Sequence, residues 1–119
     1  TAAHTDFEVL QSLPVNMYSD MLLHQMGPQL ADQIVQGAAQ GDMFRTTPLW
    51  GIGQRIFFMH DGRTSDLLQA IRMHAVRPED DPSTFPPGFP QSEATTVIQR
   101  FNALSPADKQ ALLDFLRSL

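Results

Sequence analysis

The sequence predicts a mainly α domain with few or no strands and long irregular loops. Three observations carry this. The last third holds two capped segments with apolar residues at helical spacing, and a third such segment precedes them. No stretch alternates apolar and polar residues as a half-buried strand does. Glycine and proline cluster in two places, residues 48–63 and 78–90, where regular structure should give way to loop.

Taken in order, Phe7, Leu10 and Leu13 fall at helical spacing and Pro14 stops them. In residues 17–28, Ser19 or Asp20 can cap a single helical turn that Gly27-Pro28 ends. His24 and Met26 sit at its end. His24 reads equally as a backbone-bonded core or capping histidine and as a pocket residue. Met26 reads as a core filler. Leu30, Ile34 and Val35 define either a short helix with Gly37 beyond its end or a surface loop. Phe44 to Pro48 is an extended lead-in, because the residue before proline is pushed out of the α region.

After Gly62, Thr64 or Ser65 caps a helix with Asp66 in its first turn, where the dipole favours an acid. Leu67, Leu68, Ile71 and Ala75 form its apolar face, Arg72 and Arg77 lie toward its end, and Pro78 closes it. The Pro-rich loop 78–90 follows, pinned by Phe85 and Phe89. Ser92 caps the next helix, with Ala94, Val97, Ile98 and Phe101 as its stripe. Ser105-Pro106 opens the last, with Asp108 in the first turn and Leu112, Leu113, Leu116 and Leu119 as the stripe.

At 119 residues the chain is one domain able to bury a core. The net charge of −5, without a basic stripe, argues against nucleic acid as a partner. No apolar run has the length of a membrane span and no signal peptide is visible. The absence of cysteine excludes disulfides, Cys-based metal sites and thiol catalysis within this chain, and leaves the compartment unread. The chain starts Thr-Ala-Ala and not Met, as a mature product or a fragment would.

The central stretch, Pro48 to Arg63, gathers the only tryptophan, Phe57-Phe58, three glycines and Met59-His60-Asp61-Gly62. Three glycines so close disfavour a helix, and Asp-Gly marks a turn. We expect a largely buried, irregular loop that ends in a turn and feeds a helix. It holds no phosphate-binding glycine loop, no Gly-x-Ser-x-Gly elbow and no His-Glu-x-x-His pair. His4, His24, His60 and His74 are scattered, so only the fold could assemble a histidine metal site. The remaining chemistry is a soft thioether, Met59, in an aromatic setting with Arg45, Arg55 and Arg63 nearby. A methionine sulfur can ligate haem iron, and arginines can neutralise haem propionates. A methionine in an apolar run is also commonly simple core.

Several pieces stand in a specific order: Tyr18-Ser-Asp-Met-Leu-Leu-His-Gln-Met-Gly-Pro28, Phe44-Arg-Thr-Thr-Pro-Leu-Trp-Gly-Ile-Gly53, Met59-His-Asp-Gly-Arg63 with Leu67-Leu-Gln-Ala-Ile71, and the ending from Phe101-Asn-Ala-Leu-Ser105 to Leu112-Leu-Asp-Phe-Leu-Arg-Ser-Leu119. On these pieces the chain resembles the C-terminal haem domain of the bacterial di-haem cytochrome c peroxidase superfamily. More closely it is similar to the di-haem thiol oxidoreductases within it. The resemblance implies a cytochrome c-like helical domain wrapped round a haem, and periplasmic electron transfer or peroxidase-like chemistry. It implies Met59 as distal iron ligand, with Met26 as the alternative. Arg45 would face a propionate and Trp50 would pack on the haem edge. His60 and Asp61 would form a turn bracing the loop, and His24 and Arg63 would lie at the pocket.

Relatives attach haem c through Cys-x-x-Cys-His, upstream of a segment like Tyr18-Ser-Asp20. This chain has no cysteine. The expectation is therefore a C-terminal fragment, residues 1–119, lacking the haem-attachment segment. Its partners would be the remainder of the parent polypeptide or a haem-bearing chain, and a redox protein. The rival expectation is a haem-free helical interaction module or subunit.

Overall fold

The computed structural model describes residues 14–77 and 80–119. The expected helix around Phe7, Leu10 and Leu13 lies outside the described residues. Regular structure divides unevenly along the chain. The first half holds one short antiparallel hairpin, β1 (Leu23–Gln25) and β2 (Met43–Arg45), in the register Leu23 to Arg45, His24 to Phe44 and Gln25 to Met43. A single 3-10 turn follows at Ile52–Gln54. The second half holds α1 (Leu67–Met73), α2 (Thr95–Ala103) and α3 (Pro106–Ser118), with another 3-10 turn at Pro82–Thr84. Among the described residues all three α-helices are C-terminal, and a strand pair occupies the ground where a helical turn and an extended lead-in were expected, so the fold is a mixture of helix, short hairpin and loop and not clearly the mainly α, cytochrome c-like domain expected.

The hairpin replaces the helical turn expected near Ser19 and Asp20, and local hydrogen bonding explains why. Ser19 Oγ accepts from Met21 N at 3.0 Å and Asp20 Oδ1 accepts from Leu22 N at 2.9 Å. These are tight side-chain turns two residues long, which compete with helix instead of capping it. Thr46 N then donates to Leu22 O at 2.9 Å, and Ser19 Oγ donates to Thr46 O at 2.8 Å, so both flanks of the hairpin are tied. The helix considered for Leu30 to Val35 is also absent. Leu30 is buried, but Ile34 and Val35 are exposed, and Gln36 and Ala39 bridge each other across a tight turn. Two β-branched residues beside an Asp32 side chain that accepts from Ile34 N favour this loop.

The C-terminal helices match their sequence signals more closely. Ser105 caps α3 by accepting from Asp108 N at 3.1 Å, with Pro106 opening the helix. The cap of α1 is Asp66, which accepts from Gln69 N at 2.8 Å, and not Thr64 or Ser65. Thr64 is drawn into a bridge with Phe58 instead. Ser92 prepares α2: its Oγ accepts from Ala94 N and donates to His74 O at 2.5 Å, joining the end of α1 to the start of α2.

Among the described residues the buried apolar set is Leu30, Leu67, Ala70, Ala75, Ile98, Phe101 and Leu116. Val97 and Leu112, expected in the helix stripes, are exposed, so only part of each stripe is used. Phe85 and Phe89 are half-buried under the Pro-rich loop. Among the described residues no helix is long and apolar enough to cross a membrane.

Candidate functional site

The central stretch enters from β2 and docks on the end of α3. Gly51 N donates to Leu119 O at 3.0 Å, and a Cβ at Gly53 would stand 2.2 Å from Arg117 O, so that position admits no side chain without movement. The indole N–H of Trp50 donates to Asn16 O at 2.8 Å. That bond holds residues 14–17 against the loop, and Tyr18 beyond them meets Phe115 of α3 edge-on, with ring centroids 5.3 Å apart.

The loop buries its apolar side chains only in part, less than expected: Leu49, Ile52, Phe58 and Met59 are half-buried and three others are exposed. Trp50 is 57 % exposed, Ile56 72 % and Phe57 61 %. Exposed apolar side chains gathered in one loop mark a candidate contact surface.

The loop ends in a braced turn. Phe58 N donates to Thr64 O at 2.8 Å, and Gly62 N donates back to Met59 O at 3.3 Å. Met59 itself is half-buried and takes φ +73°, a conformation that methionine adopts at a cost of about 1 kcal/mol or more. Gly62, at φ +70°, closes the turn without that cost. Asp61 and Arg63 clasp across it: Nε donates to Oδ2 at 2.6 Å, Nη2 lies 2.5 Å from the same oxygen, and Arg63 N donates to Oδ1 at 3.2 Å. The Arg63 guanidinium beside Asp61 holds its carboxyl below the usual carboxylate range. Arg63 Nη1 also reaches Gln29 O at 3.0 Å. His60 lies against the Phe44 ring of β2, with centroids 4.5 Å apart.

The remaining expected site residues lie around this turn at other positions. Arg45 ends β2, paired with Leu23 through its backbone, and its exposed guanidinium makes no hydrogen bond or ion pair with the described residues. Met26 is half-buried and donates its backbone N–H to Asp42 O at 2.8 Å. His24 is neither a core histidine nor bonded to backbone. Its Nε2 lies 2.9 Å from Asp20 Oδ2 and its Nδ1 2.9 Å from Glu93 Oε2. Hydrogen bonds to Glu93, then to Asp20, raise its pKa above the ordinary value. The structure therefore unites Met59, His60, Asp61 and Arg63 in one turn, and sends His24 to a separate ionic junction.

Sequence reasoning missed Phe44, Gln29 and Glu93 as individual partners. Phe44 was legible only as part of the extended lead-in. Gln29 contributes a backbone carbonyl, which no residue type announces. Among the described residues no group of three His, Cys, Asp or Glu side chains could hold a metal ion, so a histidine-built metal centre gains no support from them.

The family model described as "Di-haem oxidoreductase, putative peroxidase" matches residues 3–119, nearly the whole chain. The chain belongs to the di-haem oxidoreductase family. No curated protein and no solved structure gives a match. Membership implies haem as the cofactor of this di-haem oxidoreductase chain. The chemistry of the residues present suits such a group: apolar side chains exposed at Trp50, Ile56 and Phe57, a thioether at Met59 and a guanidinium at Arg45. They do not include a cysteine that could bond it covalently.

Proposed function

We propose that this chain supplies one wall and the distal iron ligand of a haem c site in a di-haem c-type cytochrome oxidoreductase. The single observation that carries the reading is Met59, held at positive φ in a braced turn that closes an exposed apolar loop. A strained, over-determined backbone of this kind is typical of ligand-holding positions. The fold on this reading is cytochrome c-like, with its helices and long loops arranged round the cofactor.

Haem, when bound, supplies one-electron redox chemistry. Met59 offers a neutral, soft sulfur, which favours reduced iron and raises the potential. Trp50, Ile56 and Phe57 would shield the group from water, and Arg45 would offset the charge of a propionate. Met26 is the less favoured ligand, because it directly follows β1 and is not among the residues held at positive φ. The activity is electron transfer or peroxide reduction in the periplasm, with a redox protein as partner. Covalent attachment comes from a Cys-x-x-Cys-His segment outside these residues, in the parent polypeptide or a second chain.

The test uses the native haem-bearing protein. A pyridine haemochrome spectrum should report covalent haem c. Met59→Ala should abolish the spectral signature of thioether ligation and lower the midpoint potential. A spectrum unchanged by that substitution removes Met59 as ligand. The lack of cysteine favours a second reading, a haem-free interaction module whose exposed apolar loop binds a protein partner. Covalent haem in the native protein would end that alternative.

A further inference from the structure

We infer that Arg63, together with Phe44, is a positioning residue for Met59; the role in ligation rests on the reading above, the mechanical role on the structure alone. On the sequence, Arg63 is one more cation beside a haem pocket. In the fold its guanidinium faces the protein. Three of its nitrogen donors converge on Asp61, and a fourth, Nη1, reaches the Gln29 carbonyl. Asp61 is the third residue of the turn that starts at Met59, and Gly62 N closes that turn on Met59 O. Gln29 belongs to the tight turn that Leu30 N closes on Gly27 O, and Leu30 is 2 % exposed. A continuous path therefore runs from a core leucine through Gln29, Arg63 and Asp61 to the Met59 backbone.

The second grip comes from the hairpin. Phe44 is fixed by its pairing with His24, and its ring lies on His60, the residue after Met59. The turn is held on one side by the Arg63–Asp61 ion pair and on the other by the tilted contact of the Phe44 and His60 rings. Met59 sits where both constraints act, in a conformation that persists only when its surroundings over-determine it. Releasing either grip lets Met59 return to negative φ, which redirects its side chain. Lysine would not replace Arg63, because an ammonium cannot hold a carboxylate in a fork and reach a carbonyl in a fixed plane.

The experiment compares haem-bearing wild type with Arg63→Ala, Arg63→Lys, Phe44→Leu, Phe44→Tyr, Met59→Ala and, as a control on α2, Arg100→Ala. Two readouts are taken: amide exchange of Phe58 and Gly62, and the thioether-ligation signature of the iron. Arg63→Ala, Arg63→Lys and Phe44→Leu should each speed exchange at both amides about tenfold and reduce the liganded fraction. Phe44→Tyr keeps the ring contact and should restore wild-type values, and Arg100→Ala should match wild type. Unchanged exchange in both Arg63→Ala and Phe44→Leu overturns the brace. If Met59→Ala removes the signature while the other variants keep it, only the positioning role fails. If Met59→Ala leaves the spectrum unchanged, the ligand reading fails and positioning for ligation falls with it. Should Arg63→Ala not fold, the Phe44 pair decides the outcome by itself.

Discussion

Glu93 Oε2 lies 2.9 Å from Nδ1 of His24, across 69 residues of sequence. The other ring nitrogen faces Asp20 at the same distance. Carboxylates only accept, so both contacts are satisfied together only when both ring nitrogens carry protons. The junction ties β1 to the segment that enters α2, and Glu93 N strengthens it by donating to Gln25 O at 2.9 Å.

Stability should therefore depend on pH in a defined direction. The folded pKa of His24 is raised, chiefly by Glu93 and then by Asp20. Its contribution is complete below the ordinary histidine value of about 6.5 and is lost as pH rises through the raised value. Glu93 is lowered mainly by His24, and Asp20 mainly by the Leu22 amide and then by His24. Their contributions are lost as pH falls through the lowered carboxylate values. Thermal melts from pH 4 to 9 should decline on the alkaline side in wild type, and His24→Gln should flatten that decline. An equal alkaline decline in both proteins would remove the junction as its cause.

Gly53 meets α3 where no side chain fits. Gly53→Ala places a methyl on Arg117 O, a backbone atom that cannot swing aside. The central loop must then shift off the helix end, at about 1–3 kcal/mol. Denaturant unfolding should show this as a lower midpoint with unchanged slope, while Gln54→Ala at the exposed neighbour stays within about 0.5 kcal/mol of wild type.

Asp42 is the most buried side chain described, at 0 % exposure, and neither carboxylate oxygen has a hydrogen-bond partner. A polar group in that state carries its full desolvation penalty. Asp42→Leu, of similar shape and without polar atoms, should stabilise the chain by about 1–3 kcal/mol, read from the same unfolding curves. A loss of stability would mean the carboxylate has a partner in solution.

The C-terminal helices were legible because their signals are local. Ser105-Pro106 and Asp108 set the start of α3 within one turn of chain, and the structure keeps that start. The hairpin was not legible. Ser19 and Asp20 carry the residue types of a helix cap, and the choice between cap and side-chain turn is made by Thr46, which binds Ser19 from 27 residues away. The burial of the central loop was misjudged for a related reason. Composition shows that Trp50, Ile56 and Phe57 are apolar, but not whether this chain has enough surface to cover them.

The sequence by itself determined the family, the start of α3 and the turn at Met59-His60-Asp61-Gly62, because each rests on residue types at short spacing. Only the tertiary structure decided what holds that turn. Arg63 has an aspartate two residues away and a carbonyl 34 residues away within reach, and both bonds together fix its guanidinium against the protein. His24 was left open between core and pocket until the fold brought Glu93 to it. Pairings of this kind depend on loop closure over tens of residues, and no local pattern encodes them.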